Sequence, residues 1–197
     1  SCADCLTEAP TTALSEGTVY SDEANLEAGV IGVYWSLKTS NYSWTTQMSE
    51  FCSFPSILIH WKDNRTAENY IQCLRLTMFP HSAENQGLYD YLYASIYKCN
   101  KMIEAMSISP VDQTYKNEIE GEVKFIRAWQ YFAAVRFWGD IPLILNTPKN
   151  IDETDAPRVH YMEVYKQILS DIEYAEQNMR TPERVAEVGG MTGRPNR

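Results

Sequence analysis

Glu118 and Glu122 stand one helical turn apart, and two neighbouring carboxylates are the minimum equipment for acid/base cleavage of a glycosidic bond. Lys124 and Arg127 follow on the same stretch, so the expected role of the pair is salt-bridged or solvated rather than catalytic. His60, His81 and His160 are scattered with no metal-ligand spacing. With Cys2 set aside, Cys5, Cys52, Cys73 and Cys99 are separated by 47, 21 and 26 positions, so no C-x-x-C zinc motif forms. A Cys52–Cys73 disulfide is permitted in an exported protein, but sequence does not establish it. No zincin, P-loop, nucleophile-elbow or dinucleotide motif occurs. The expected chemistry is non-catalytic, with no metal and no cofactor.

The elements that position these residues come next. The chain has 197 residues, 44% of them apolar, and a net charge of −9. That length suits one domain or part of a larger one. The acidic balance, with no basic run, argues against nucleic acid, whose phosphates need clustered Lys and Arg. No stretch approaches the roughly 20 apolar residues that span a bilayer. Thirteen Tyr and five Trp supply amphipathic rings that suit sugar faces as well as cores.

Residues 1–20 read as a polar lead-in, and residues 21–197 as a helical domain. Ser21 is expected to cap a first helix carrying Leu26, Val30, Val33, Tyr34 and Leu37 at helical spacing, with Gly29 and Gly32 as points of close helix contact. Residues 39–80 have no sustained period and contain Trp61, a length that is unusual inside a compact domain unless the segment is functional. A second helix is expected from about Asn85 to Met106, with Cys99 on its apolar stripe as a small hydrophobe. A third runs from an Asp112 cap to Trp138, apolar on more than one face and therefore buried on two sides. Inside it, Arg127 and Arg136 need buried partners, and Trp129 and Trp138 are expected in the core. Gly139 stops that helix, and residues 141–145 continue as an extended segment. After an acidic loop, a fourth helix spans about Val159 to Arg180 with Tyr161, Tyr165, Ile168, Ile172, Ala175 and Met179 on one stripe, and residues 181–197 read as a turn-rich tail.

The block Glu122, Phe125, Arg127, Ala128, Tyr131, Phe132, Val135, Trp138, Gly139, Ile141 and Pro142 resembles, in register, the signature of the SusD/RagB-like family of outer-membrane nutrient-binding lipoproteins. Tyr165, Ile168, Asp171, Ile172 and Ala175 resemble a second family pattern, and Gly193, Arg194, Asn196 and Arg197 a third. Cys2, Asp4, Leu6 and Pro10 resemble the family's mature start, with Cys2 as the lipidated residue; the other reading of Ser1-Cys2 is a cloning remnant followed by an ordinary thiol. The resemblance implies an all-α fold of tetratricopeptide-like helix pairs with long aperiodic loops, forming the N-terminal part of a larger domain. Arg127, Gly139 and Pro142 are then structural signature positions.

The resemblance further implies non-catalytic binding of oligosaccharides, or in some members peptides, at the cell surface. The partner is a SusC-like TonB-dependent transporter, and the membrane is reached through the lipid anchor. In family members that bind starch, tryptophans before the second helix form a stacking platform, and Trp61, Asn64 and Arg65 occupy the comparable place. Trp61 would stack on a sugar ring while Asn64 and Arg65 bond its hydroxyls. Equally, Trp61 can plug its loop onto the helices, since the family's paired tryptophans are not reproduced. A helical-repeat docking module without a nutrient ligand, and a glycoside hydrolase on a helical scaffold, are the rival readings.

Overall fold

The structure is a computed structural model describing residues 20–38, 82–150, 155–187 and 194–197. Cys2, Cys5, Cys52, Cys73 and the Trp61, Asn64, Arg65 loop lie outside the described residues. The described elements are α1 (Glu23–Lys38), α2 (Ala83–Ile108), α3 (Gln113–Trp138), β1 (Ile141–Pro142), β2 (Arg158–Val159), α4 (Tyr161–Asn178) and α5 (Pro182–Glu187). The fold is all-α apart from the two-residue antiparallel ladder that pairs Ile141 with Val159 and Pro142 with Arg158.

Local chemistry sets each helix end. Asp22, not Ser21, caps α1: its carboxylate accepts from the Asn25 backbone N–H at 2.8 Å. Ser82 caps α2 and so starts it two residues before Asn85. Asp112 accepts from the N–H groups of Thr114 and Tyr115 and starts α3, as its sequence position predicts. Gly139 ends α3 at φ 68°, ψ −109°, a conformation that side chains with a Cβ rarely adopt. Val159 belongs to the ladder rather than to the fourth helix, because it pairs with Ile141. Within the expected tail, Thr181 caps α5, with Pro182 at the first helical position where its missing N–H costs nothing.

Two apolar clusters hold the helices together. Leu88, Tyr91, Leu92 and Ile96 from the first half of α2 meet Ala128, Tyr131, Ala134 and Val135 from the second half of α3, with Val164 and Ile168 of α4 completing the cluster. Cys99, Met102 and Met106 meet Ile119, Val123 and Ile126 at the other end, where Leu26, Val30 and Val33 of α1 close the space. Early α2 against late α3 makes an antiparallel hairpin, as the short 109–112 link requires. α3 packs on α2, α4 and α1, which bears out the reading of a helix buried on more than one side.

The glycines divide. A Cβ on Gly29 would meet Met102 Sδ at 2.7 Å, whereas one on Gly32 would meet nothing within 4 Å among the described residues, which give Gly32 no contact to make. The stripe on α4 holds at Ile168, Ala175 and Met179 and is otherwise rotated from the expected one. Val164, Ile168, Asp171 and Ala175 face inward, while Tyr161 and Ile172 are exposed.

Candidate functional site

Arg127 is buried among apolar side chains, where an unpaired guanidinium would not be tolerated. Its Nε and Nη2 donate to the two oxygens of Asp171, each at 2.8 Å, a two-pronged match of planar groups. Nη1 donates to Asn100 Oδ1 at 2.9 Å, so α2, α3 and α4 are joined through one side chain. Burial works against the Arg127 charge, but Asp171 more than offsets it and the guanidinium pKa is raised.

The same interior secures the chain that follows Gly139. Tyr93 donates its hydroxyl to the Pro142 carbonyl at 2.7 Å. Asn100 donates to the Ile144 carbonyl at 2.9 Å, and the Tyr131 hydroxyl both donates to that carbonyl and accepts from the Ile144 N–H. Glu104 accepts from the Thr147 N–H at 2.7 Å and from its hydroxyl. A strap thus runs along α2, held by side-chain hydrogen bonds to its backbone at Pro142, Ile144 and Thr147. Cys99 lies beside this network, and burial pushes its thiol up to about 12, which leaves it unreactive.

Glu118 and Glu122 are buried and paired, but not with Lys124 or Arg127, which turn to Glu120 and Asp171. Glu118 accepts from Arg180 Nε at 3.0 Å and from Arg184 Nε at 3.2 Å. Glu122 accepts from the Tyr34 hydroxyl and from Arg194, whose guanidinium also reaches Glu27 of α1. Burial pushes the Glu122 carboxyl up to about 7, with the Tyr34 hydroxyl and the Arg180 charge pulling it back. These contacts tie α1, α3, the start of α5 and residue 194 into one joint. The nearest-neighbour reading of the sequence missed Glu27, Tyr34 and Arg180, since 88 positions separate Tyr34 from Glu122.

Arg136 needs no buried partner. It is exposed and lies over the Phe132 ring at 5.3 Å, because the helix turns residues 129, 132 and 136 outward together. Trp129 accordingly leaves the core, at 41% exposure, while Trp138 stays packed and donates its Nε1 to Asn85. Phe132 meets Tyr165 edge-on at 6.5 Å, and Tyr165 meets Tyr161 at 6.4 Å. With the exposed Leu169 and Ile172, they form an apolar and aromatic face along α3 and α4. His160 accepts from the Met162 N–H at the start of α4. Among the described residues no group of His, Cys, Asp and Glu could hold a metal ion, and no helix is long and apolar enough to cross a membrane.

A helical-hairpin scaffold with a buried arginine brace, a strap sewn to it by side chains and an aromatic outer face is the class of protein these observations define. The profile of the SusD-like family, described as starch-binding and associating with the outer membrane, matches residues 6–187. The chain belongs to that family. It is 27% identical over 177 residues to SusD-like protein P2 of Formosa agariphila, covering 89% of this chain and 35% of that relative. Its fold is similar to that of a SusD superfamily protein from Bacteroides vulgatus, with a TM-score of 0.75 at 17% identity, covering 91% of this chain and 38% of the other. It is also similar to a laminarin-binding SusD-like protein, with a TM-score of 0.70 at 21% identity over 82% of this chain and 35% of the other. The chain therefore spans about a third of the length of the relatives it matches.

Proposed function

We propose that this chain serves non-catalytic capture of oligosaccharides at the outer surface of the cell, for import through a SusC-like TonB-dependent transporter. The observation that carries the reading is the family match across residues 6–187, joined to the intact brace and strap of the signature block. The similarity in fold to a laminarin-binding protein supports a glycan as the ligand class. In this reading Cys2 carries the lipid anchor, and Trp61, Asn64 and Arg65 meet the sugar. Glu118 and Glu122 serve the joint, because each carboxylate is engaged by arginines.

Isothermal titration against a glycan panel tests this, with product analysis alongside. The expected result is binding without hydrolysis, weakened about fivefold by Trp61→Ala, as losing roughly 1 kcal/mol of aromatic contact requires. Unchanged affinity in that variant would make Trp61 a packing residue. Hydrolysis would instead favour the glycosidase rival.

A second reading, protein docking without a sugar, is favoured by the exposed row of Phe132, Tyr161, Leu169 and Ile172. It predicts no glycan binding and a partner lost on Leu169→Lys.

A further inference from the structure

The α3–α4 hairpin carries one apolar face that stays exposed among the described residues. Trp129 and Phe132 of α3 and Tyr161, Leu169 and Ile172 of α4 are 39–58% exposed. The half-buried Tyr165 joins the two rows through its edge-on contacts with Phe132 and Tyr161. On α4 the steps from 161 to 165, 169, 172 and 176 are three or four residues each, so Glu176 lies on the same stripe. On α3 the steps from 129 to 132 and 136 do the same for Arg136, whose guanidinium lies over the Phe132 ring. Both of these charged residues are exposed. A contiguous apolar patch rimmed by polar groups is the mark of an interaction site.

The two charges sit at opposite ends of the face. Arg127 meets Asp171, Lys124 meets Tyr174 and Phe132 meets Tyr165, so α3 and α4 run antiparallel. Arg136 is therefore level with the first turn of α4, near Met162. Glu176 lies 14 residues beyond Met162, about 21 Å along the helix, and Leu169 is midway. Leu169 is also the most exposed member of the row, at 58%. Glu163 and Lys166, off the stripe, are taken up with each other. A surface with opposite charges equally spaced about an apolar centre complements itself when turned end for end, which is the condition a two-fold interface must meet. A sugar is a poorer occupant, because Leu169 and Ile172 offer its hydroxyls no hydrogen bond.

We propose that the partner of this face is a second copy of the chain, set antiparallel about a two-fold axis beside Leu169, with Arg136 of each copy facing Glu176 of the other. At about 40% exposure an aromatic side chain has on the order of 80 Å² left to cover, and the whole row roughly 500 Å² per copy. About 1,000 Å² in all lies at the low end of specific interfaces, so the dimer is weak and reversible. The pairing does not depend on sugar capture, and the glycan titration decides nothing about it.

Sedimentation equilibrium of the full chain over a range of concentrations tests it, together with Arg136→Glu, Glu176→Arg and the two combined. Both residues are exposed, so circular dichroism should show the same helix content in every variant. The expected result is a monomer–dimer equilibrium that each single reversal weakens roughly tenfold, because two opposite-charge contacts become like-charge ones. The double reversal restores the pairing, since the charges are exchanged but still opposed. A monomer at every concentration would overturn the proposal and give the face to a different occupant. A dimer indifferent to the single reversals, or one that the double reversal fails to restore, would overturn it as well.

Discussion

Arg127 and Asp171 form a two-pronged ion pair buried in the interior. Arg127→Met leaves Asp171 charged and unpaired in the interior, and a cost of about 3–5 kcal/mol is expected by chemical denaturation. Replacing both, as Arg127→Met with Asp171→Leu, should return most of that loss, because no lone charge is then buried. Glu122 gives a pH signature. Burial already raises its carboxyl to about 7 against an ordinary 4.5, and in Arg194→Met, with that guanidinium gone, the carboxyl stays raised. A folded-state pKa above the unfolded one means that the folded form holds its proton longer. The associated stability is full below about 4.5 and is lost as pH rises through the raised folded-state value. Denaturation midpoints of Arg194→Met across pH 4 to 8 should slope downward, and adding Glu122→Gln should flatten them. A flat profile in the single variant would mean that the joint opens to water once Arg194 is removed.

The α1 glycines separate cleanly at the scale of elements. Gly32→Ala is expected to raise stability by about 0.5–1 kcal/mol, since helix propensity improves and the new methyl meets nothing among the described residues. Gly29→Ala drives a methyl against Met102 and Tyr20, so a loss of about 1–3 kcal/mol is expected unless the methionine swings aside. Thermal melts of the two variants side by side check both signs. Sequence spacing cannot tell these glycines apart, because it gives position along a helix but not what the helix leans on. The same limit explains α4. Its tyrosines and Ile172 make a plausible apolar stripe, yet the inward row contains Asp171, which reads as polar until Arg127 is known to meet it. The Asp112 cap, the Gly139 stop and the buried stripe of α2 were legible because each depends on neighbours within a few positions.

For the whole molecule, the all-α architecture was legible from four periodic segments, whereas the joint among Glu27, Glu122 and Arg194 was not, since it unites residues up to 167 positions apart. The assignment of Trp61, Asn64 and Arg65 to the sugar rests on analogy of place alone. Apolar side chains left outside on α3 and α4 should show as association, and Leu169→Lys with Ile172→Glu is expected to reduce it in light scattering without lowering helix content. The strap along α2 has a different consequence. From Tyr93 to Glu104 is 11 helical steps, about 16 Å, and from Pro142 to Thr147 is 5 extended steps, also about 16 Å. The two segments work like the scales of a vernier, with unequal divisions that coincide at the end rungs, Tyr93–Pro142 and Glu104–Thr147. One residue inserted between Pro142 and Thr147 would carry Thr147 about 3 Å past Glu104, beyond the reach of its hydrogen bond. Within this stretch the chain can change its letters but not their number.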